Sequence, residues 1–237
     1  MAPLEIAVAG CGPAGLAAAF LLQRAGHRVT LFERFAAAQP IGSGLILQPT
    51  GLAVLRALGL DERMIAHGAR ITRLTGTAQG RVVLDVHYAA LGTAPSGAHF
   101  GLGIHRASLF AILHEAVTAA GIPIRTGCEL HGAVLEGGKR RLRLADGVSE
   151  PFDLVVDAMG ARSPLAGDPV RALAYGALWA TLPWQRGFDP TALQQRYHRA
   201  SRMVGILPTG RAPGGVGPQL AFFWSLRADQ LERWRAQ

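Results

Sequence analysis

The sequence predicts an α/β fold in which a parallel sheet carrying a glycine-rich turn is interrupted by mostly antiparallel strands. Three observations lead there. The first 33 residues read as strand, glycine turn, helix, strand. Apolar runs fit for buried parallel strands recur at Leu4–Ala9, Val29–Phe32 and Asp153–Ala158. Beyond about Leu165 the pattern changes, and residues 174–182, 202–207 and 220–226 read as strands of a different sheet.

Taken in order, Leu4–Ala9 feeds the turn Gly10-Cys11-Gly12-Pro13-Ala14-Gly15, and the Ala/Leu-rich stretch Leu16–Arg24 is helical until Gly26 stops it. Val29–Phe32 is the second strand and ends at Glu33. A helix starts near Thr50, an N-cap residue preceded by Pro49; Leu52, Leu55 and Leu58 line one face and Gly59 closes it. Ile71–Tyr88 reads as a hairpin outside the nucleotide domain. Another helix runs from about Ser108 to Ala120, with Leu109, Leu113 and Val117 at i, i+4 spacing and Gly121 as its cap; Ile122–Ile124 begins a strand. Leu130–Leu135 and Arg141–Leu144 form a β-meander around Gly137-Gly138. Asp153–Ala158 ends at Met159-Gly160. A Gly/Pro-rich loop, Thr209–Pro218, precedes the last strand, and a helix begins near Ala228 in which the chain stops at Gln237.

Composition narrows the function. Of 237 residues, 49% are hydrophobic and 17% charged, enough to bury a sizeable core. The net charge of +8 comes almost wholly from scattered Arg, since Lys139 is the only Lys. The cluster Lys139-Arg140-Arg141 with Arg143 reads as the solvated face of a hairpin. No basic stripe with interleaved aromatics supports nucleic-acid binding, although a positive surface attracts anionic cofactors and substrates. Cys11 and Cys128 make neither a disulfide framework nor a metal site, and the eight His show no metal-ligand spacing. No apolar run spans a bilayer and no basic region precedes the first apolar stretch, so a soluble, cytoplasmic protein without membrane partners is expected.

The glycines have a physical task. In Gly10-x-Gly12-x-x-Gly15, the first permits a tight turn, the second lets a pyrophosphate approach the backbone and the third lets helix and strand pack closely. Helix N-terminal N–H groups then face the negative charge. Glu33, at the end of the second strand, can accept hydrogen bonds from ribose hydroxyls and disfavours a 2′-phosphate. The context is that of a Rossmann-like domain, but the motif alone does not separate NAD from FAD.

Further residues carry a resemblance. Glu33-Arg34 is followed by Ile41-Gly42-Ser43-Gly44-Leu45, Pro49 and Leu55–Leu60; then come Arg106-x-x-Leu109 and Asp153-Leu154-Val155-Val156-Asp157-Ala158-Met159-Gly160-Ala161-Arg162-Ser163. In this order they resemble the single-component FAD-dependent aromatic hydroxylases of para-hydroxybenzoate hydroxylase fold. The resemblance implies that Glu33 and Arg34 meet the adenosine end of FAD, that Gly42, Ser43 and Gly44 pass close to the isoalloxazine ring, and that Arg106 lies near the ribityl-diphosphate. It places Met159 and Gly160 in a second fingerprint, which ends in Gly-Ala-Asp-Gly in the family. With Gly10, Gly12, Pro13, Ala14, Gly15 and Leu130, these residues are the candidate cofactor contacts. Met159 stands where the family has an Asp thought to serve FAD and NAD(P)H. The family's later Gly-Asp motif has no match after Ser163, so the chain is expected to be the N-terminal portion of a longer protein or the product of a truncated gene.

The fold implied is a Rossmann-like FAD-binding domain with parallel sheet and β-meander (1–70 and 98–165), interrupted by a mostly antiparallel substrate domain (71–97 and 166–237) incomplete at the C-terminus. The activity implied for the intact protein is hydroxylation of an aromatic or similar small substrate with NAD(P)H as electron donor and O₂ as oxidant; this chain by itself is expected to hold FAD poorly and to turn over no substrate. No catalytic side chain is singled out. His105 faces either the cofactor or the core, and Trp179, Trp184, Phe222, Phe223 and Trp224 line either a substrate pocket or the core. A related flavin-dependent reductase is the enzymatic alternative; halogenation is disfavoured because Lys139 sits in a surface hairpin. A non-catalytic nucleotide-binding fragment is the other alternative, and a homodimer is left open.

Overall fold

A computed structural model describes residues 2–39, 42–94, 97–167, 171–199 and 201–236. Ile41 of the glycine-rich segment and the terminal Gln237 lie outside them. The chain divides into two compact units, 1–40 with 110–171 and 41–109 with 172–237.

The first unit is built on a four-stranded parallel sheet in the order Ile124–Arg125, Arg28–Phe32, Glu5–Ala9, Leu154–Asp157. Ile6, Ala7, Val8 and Ala9 are fully buried, as a strand covered on both faces requires. The helix Pro13–Arg24 connects the two central strands, with Pro at its first position, where a missing N–H is harmless. The meander Leu130–Glu136, Lys139–Leu144, Gly147–Val148 is antiparallel and lies beside it. Its core joins Ala7, Ala9, Phe32, Leu130, Leu142 and Phe152, with Phe32 and Phe152 meeting edge to face at 5.8 Å. Lys139 and Arg141 pair with Asp153 (2.9 Å) and Glu136 (3.0 Å), and Arg140 and Arg143 are exposed.

The second unit holds a six-stranded sheet in the order Tyr175–Pro183, Gln219–Arg227, Arg202–Gly210, Ala192–His198, Arg73–Ala78, Arg81–His87. Its neighbours are antiparallel except Ala192–His198 with Arg73–Ala78. A three-stranded antiparallel sheet, Gly44–Leu47, Gly101–His105, Ala69–Ile71, packs against it. Ile71, Tyr88, Leu193, Leu207 and Ala221 form the core.

Several boundaries differ from expectation. The helix read from Thr50 begins at Pro49 with Gln48 before it, because Pro is placed at the first turn and Thr50 is already helical. The helix read from Ser108 begins at Arg106 and runs to Ala119. Among the elements not anticipated are strand Gly44–Leu47, helix Asp61–His67, strand Gly101–His105 and strand Ala192–His198. The compact units also divide the chain differently from the expected domains. Residues 41–70 and 98–109 cluster with the second unit, because their strands pair with one another and pack on its large sheet. Among the described residues no helix is long and apolar enough to cross a membrane.

Candidate functional site

The glycine turn makes three different demands. Gly10 has φ +101°, and a Cβ there would stand 2.7 Å from the Ala158 carbonyl oxygen. A Cβ on Gly15 would stand 1.9 Å from the Gly10 oxygen. Both glycines are therefore required by the fold itself. Gly12 is not: its backbone is extended (φ −78°, ψ 176°) and a Cβ would meet nothing within 4 Å. The space above Gly12 is unfilled by any described residue within that distance. The helix that starts at Pro13 makes its first bond from Leu16 N–H to the Gly12 carbonyl (2.9 Å). The Ala14 and Gly15 N–H groups thus have no intrahelical acceptor. A gap over free donors at the positive end of a helix is what a pyrophosphate fits.

Glu33 is 9% exposed and anchors this turn. One carboxylate oxygen accepts from Cys11 N–H (3.0 Å) and the other from Phe35 N–H (3.0 Å). A carboxylate has about four acceptor positions, so room for a ribose hydroxyl remains. Cys11 is buried, and burial first, then the Glu33 carboxylate, pushes its thiol to about 11. Arg34 turns outward, with its guanidinium 4.6 Å from the centre of the Phe35 ring. The Leu130 side chain is packed in the core, so any cofactor contact there would run through its backbone.

The loop after strand Leu154–Asp157 is closed by a carboxylate that sequence reading passed over. Asp157 accepts from Met159 N–H (3.0 Å) and from Ser163 Oγ–H (2.5 Å). Met159 packs partly against the core of the first unit, and Gly160 has φ +79°. The acid at 157 thus fixes the loop that carries Met159 and Gly160.

In the second unit, Gly42 (φ +123°) lies against Arg106: a Cβ would stand 2.9 Å from Arg106 Cδ and 3.2 Å from a guanidinium nitrogen. Arg106 N–H donates to the Ser43 carbonyl (2.8 Å). A Cβ on Gly44 would stand 2.2 Å from a Thr209 methyl, which fixes that backbone. Ser43 is buried, and its hydroxyl lies 2.8 Å from Thr181 Oγ1, which lies 3.4 Å from His105 Nε2. Burial pushes the His105 imidazole below its usual range. Trp179 and Phe223 are register partners, as are Leu178 and Trp224, so Trp224 faces away from the other two. Trp184 instead lines a cavity of about 260 Å³ with His67, Pro208, Arg211, Pro218 and Gln219.

Thr181 and Asp157 are the residues that sequence reading missed. Asp157 had a signal, an acid at the C-terminal end of a parallel strand. Thr181 had none, because its partners are far away in sequence.

The family model of the FAD binding domain matches residues 3–167. The 3-amino-4-hydroxybenzoate 2-monooxygenase of Streptomyces cremeus is 31% identical over 214 residues, 88% of this chain and 52% of that protein. A 6-methylpretetramide 4-monooxygenase of Streptomyces rimosus is 35% identical over 192 residues, 75% of this chain and 45% of that protein. The chain spans about half the length of the curated relatives it matches. Among solved structures, the tetrameric form of 2-methyl-3-hydroxypyridine-5-carboxylic acid oxygenase shares the fold with a TM-score of 0.77 at 22% identity, over 98% of this chain and 61% of that one. CtdE in complex with FAD gives 0.71 at 17% identity, over 96% of this chain and 60% of that one. With the family model matching most of its length, the chain belongs to the FAD-binding-domain family of flavin monooxygenases of para-hydroxybenzoate hydroxylase type.

Proposed function

We propose that this chain holds FAD and serves a monooxygenase that hydroxylates an aromatic or similar small substrate, with NAD(P)H as electron donor and O₂ as oxidant. The observation that carries the reading is Gly12. The fold has no need of glycine there, yet the residue leaves a gap over the free N–H groups of Ala14 and Gly15. Glu33 stands beside that turn with acceptor capacity for the ribose. The second unit offers its own candidates: the Gly42-Ser43-Gly44 backbone and the Arg106 guanidinium, a cation suited to phosphate or ribityl oxygens.

Bound and reduced, FAD supplies the oxygen chemistry; the protein supplies position and a field around it. The chain's own residues bind and orient. The glycine turn and the positive helix end take the diphosphate, and Glu33 accepts from the sugar. The aromatic class of substrate is supported by the relatives, whose names include a hydroxybenzoate and a hydroxypyridine carboxylic acid. The net charge of +8 favours an anionic substrate. Met159 offers no carboxylate, so a nicotinamide has no acid to meet at that position.

The test is to titrate the purified chain with FAD and with ADP, and to follow NADPH oxidation with phenolic acids in the protein that contains this chain. Saturable uptake of both ligands and substrate-dependent oxygen consumption are expected. A chain that binds neither nucleotide overturns the reading.

A further inference from the structure

Between the candidate flavin segment and helix Arg106–Ala119 runs a chain of hydrogen bonds whose direction is set at one end by the backbone. Ala107 N–H donates to His105 Nδ1 (3.2 Å). A ring nitrogen that accepts carries no proton, so the neutral imidazole bears its proton on Nε2. Nε2 faces Thr181 Oγ1 at 3.4 Å, and Thr181 therefore accepts. The Thr181 proton is then free for Ser43 Oγ at 2.8 Å. Ser43 Oγ accepts in turn, which leaves the Ser43 proton undirected toward any described residue.

The surroundings of the ring favour its neutral form. Burial lowers its pKa, and the positive end of the helix that follows acts in the same direction. Its own element brings Arg106, a cation. The facing strands bring Ser43 and Thr181, neither charged. The Ser43 backbone is fixed as well, by Arg106 N–H on its carbonyl and by Thr209 and Ala221 closing on Gly44. A fixed hydroxyl on a fixed backbone is a preorganised donor.

We propose that His105 is a positioning residue: acting through Thr181, it presents the Ser43 hydroxyl as a hydrogen-bond donor to the acceptor-rich ring of bound flavin. The proposal rests on the FAD reading above. His105 and Thr181 act on the Ser43 hydroxyl and are assigned no contact with the ring. They decide which way the Ser43 proton points.

The experiment uses the purified chain, titrated with FAD and separately with ADP, in wild type, Ser43→Ala, Thr181→Val, Thr181→Ser and the Ser43→Ala/Thr181→Val double variant. Flavin absorbance is recorded alongside affinity. Ser43→Ala and Thr181→Val should each weaken FAD by about three- to tenfold, the range for one neutral hydrogen bond. Both should shift the visible flavin band and leave ADP affinity unchanged. The double variant should be no worse than Ser43→Ala, and Thr181→Ser should behave as wild type. Nitrogen NMR of His105 should show Nδ1 unprotonated. The proposal is overturned if wild type takes up FAD but Ser43→Ala binds it with the same affinity and spectrum. It is also overturned if the two losses add in full, or if the proton sits on Nδ1. A wild-type chain that takes up no FAD overturns the functional reading itself and this proposal with it, before any variant is compared.

Discussion

Replacing Gly12 by Val separates what the fold demands of the glycine turn from what a ligand demands. The Gly12 backbone, φ −78° and ψ 176°, is extended and open to any residue, and the new Cβ meets nothing within 4 Å. Stability without ligand should change by no more than about 0.5 kcal/mol. Gly15→Ala is the contrast, since its Cβ would fall 1.9 Å from the Gly10 oxygen. Backbone has to move there, at a cost of about 1–3 kcal/mol or more. Binding should show the reverse order of interest. The valine side chain would occupy the gap through which a phosphate approaches the Ala14 and Gly15 N–H groups. Each hydrogen bond from them to a phosphate is worth about 1.5–3 kcal/mol. Losing both corresponds to at least a hundredfold weaker ADP, at about 1.4 kcal/mol per tenfold. Urea melts without nucleotide and calorimetric titration with ADP measure the two effects. A Gly12→Val chain that melts like wild type and binds ADP within about twofold would refute the assignment of that gap to a pyrophosphate.

Glu33→Ala strips the acceptors from Cys11 and Phe35 N–H in a buried turn; it should cost about 2–4 kcal/mol of stability and weaken ADP by about 1–3 kcal/mol, and unchanged melts would show that the anchor is dispensable. Alkylation at pH 8, mapped by mass spectrometry, should modify partly exposed Cys128 well before Cys11, whose thiol is buried and held at about 11; equal rates would contradict this. His105 has a folded pKa below its unfolded one, so the stability its neutral form contributes is present above about pH 6.5 and is lost as pH falls through the folded value. Denaturant melts between pH 7 and 5 should therefore fall more steeply for wild type than for His105→Asn, and parallel curves would be evidence against a neutral imidazole accepting from Ala107 N–H.

The parallel sheet and the meander were legible because their signals are local. Gly10, Gly12 and Gly15 stand between two apolar runs, and Gly137-Gly138 sits between two strands. Strand Ala192–His198 was not legible. Its sequence ALQQRYH is polar, since its Gln195 and Tyr197 side chains bond to each other instead of alternating with a core face. Helix Asp61–His67 is a short element whose one buried residue, Met64, gives no period. Within the candidate site, Gly12 and Glu33 could be named from spacing. That Glu33 holds the turn together, and that Asp157 closes the second loop, depends on backbone N–H groups whose positions no sequence pattern encodes.

Both large sheets also impose an order in time. Strand Glu5–Ala9 gains its outer neighbour only across the 148 residues that separate Glu5 from Asp153, and the hairpin Arg73–His87 meets its parallel partner across the 119 between Thr72 and Thr191. On the ribosome, each of these early strands must wait with one edge unpaired while more than a hundred further residues are added. Pairing at such separations closes large loops before it gains contacts, so refolding should be slow and sensitive to concentration. The exposed valines at 82, 83 and 86 make the waiting hairpin sticky, while Asp85, tied to Arg73, places charge on the edge that would otherwise recruit another chain.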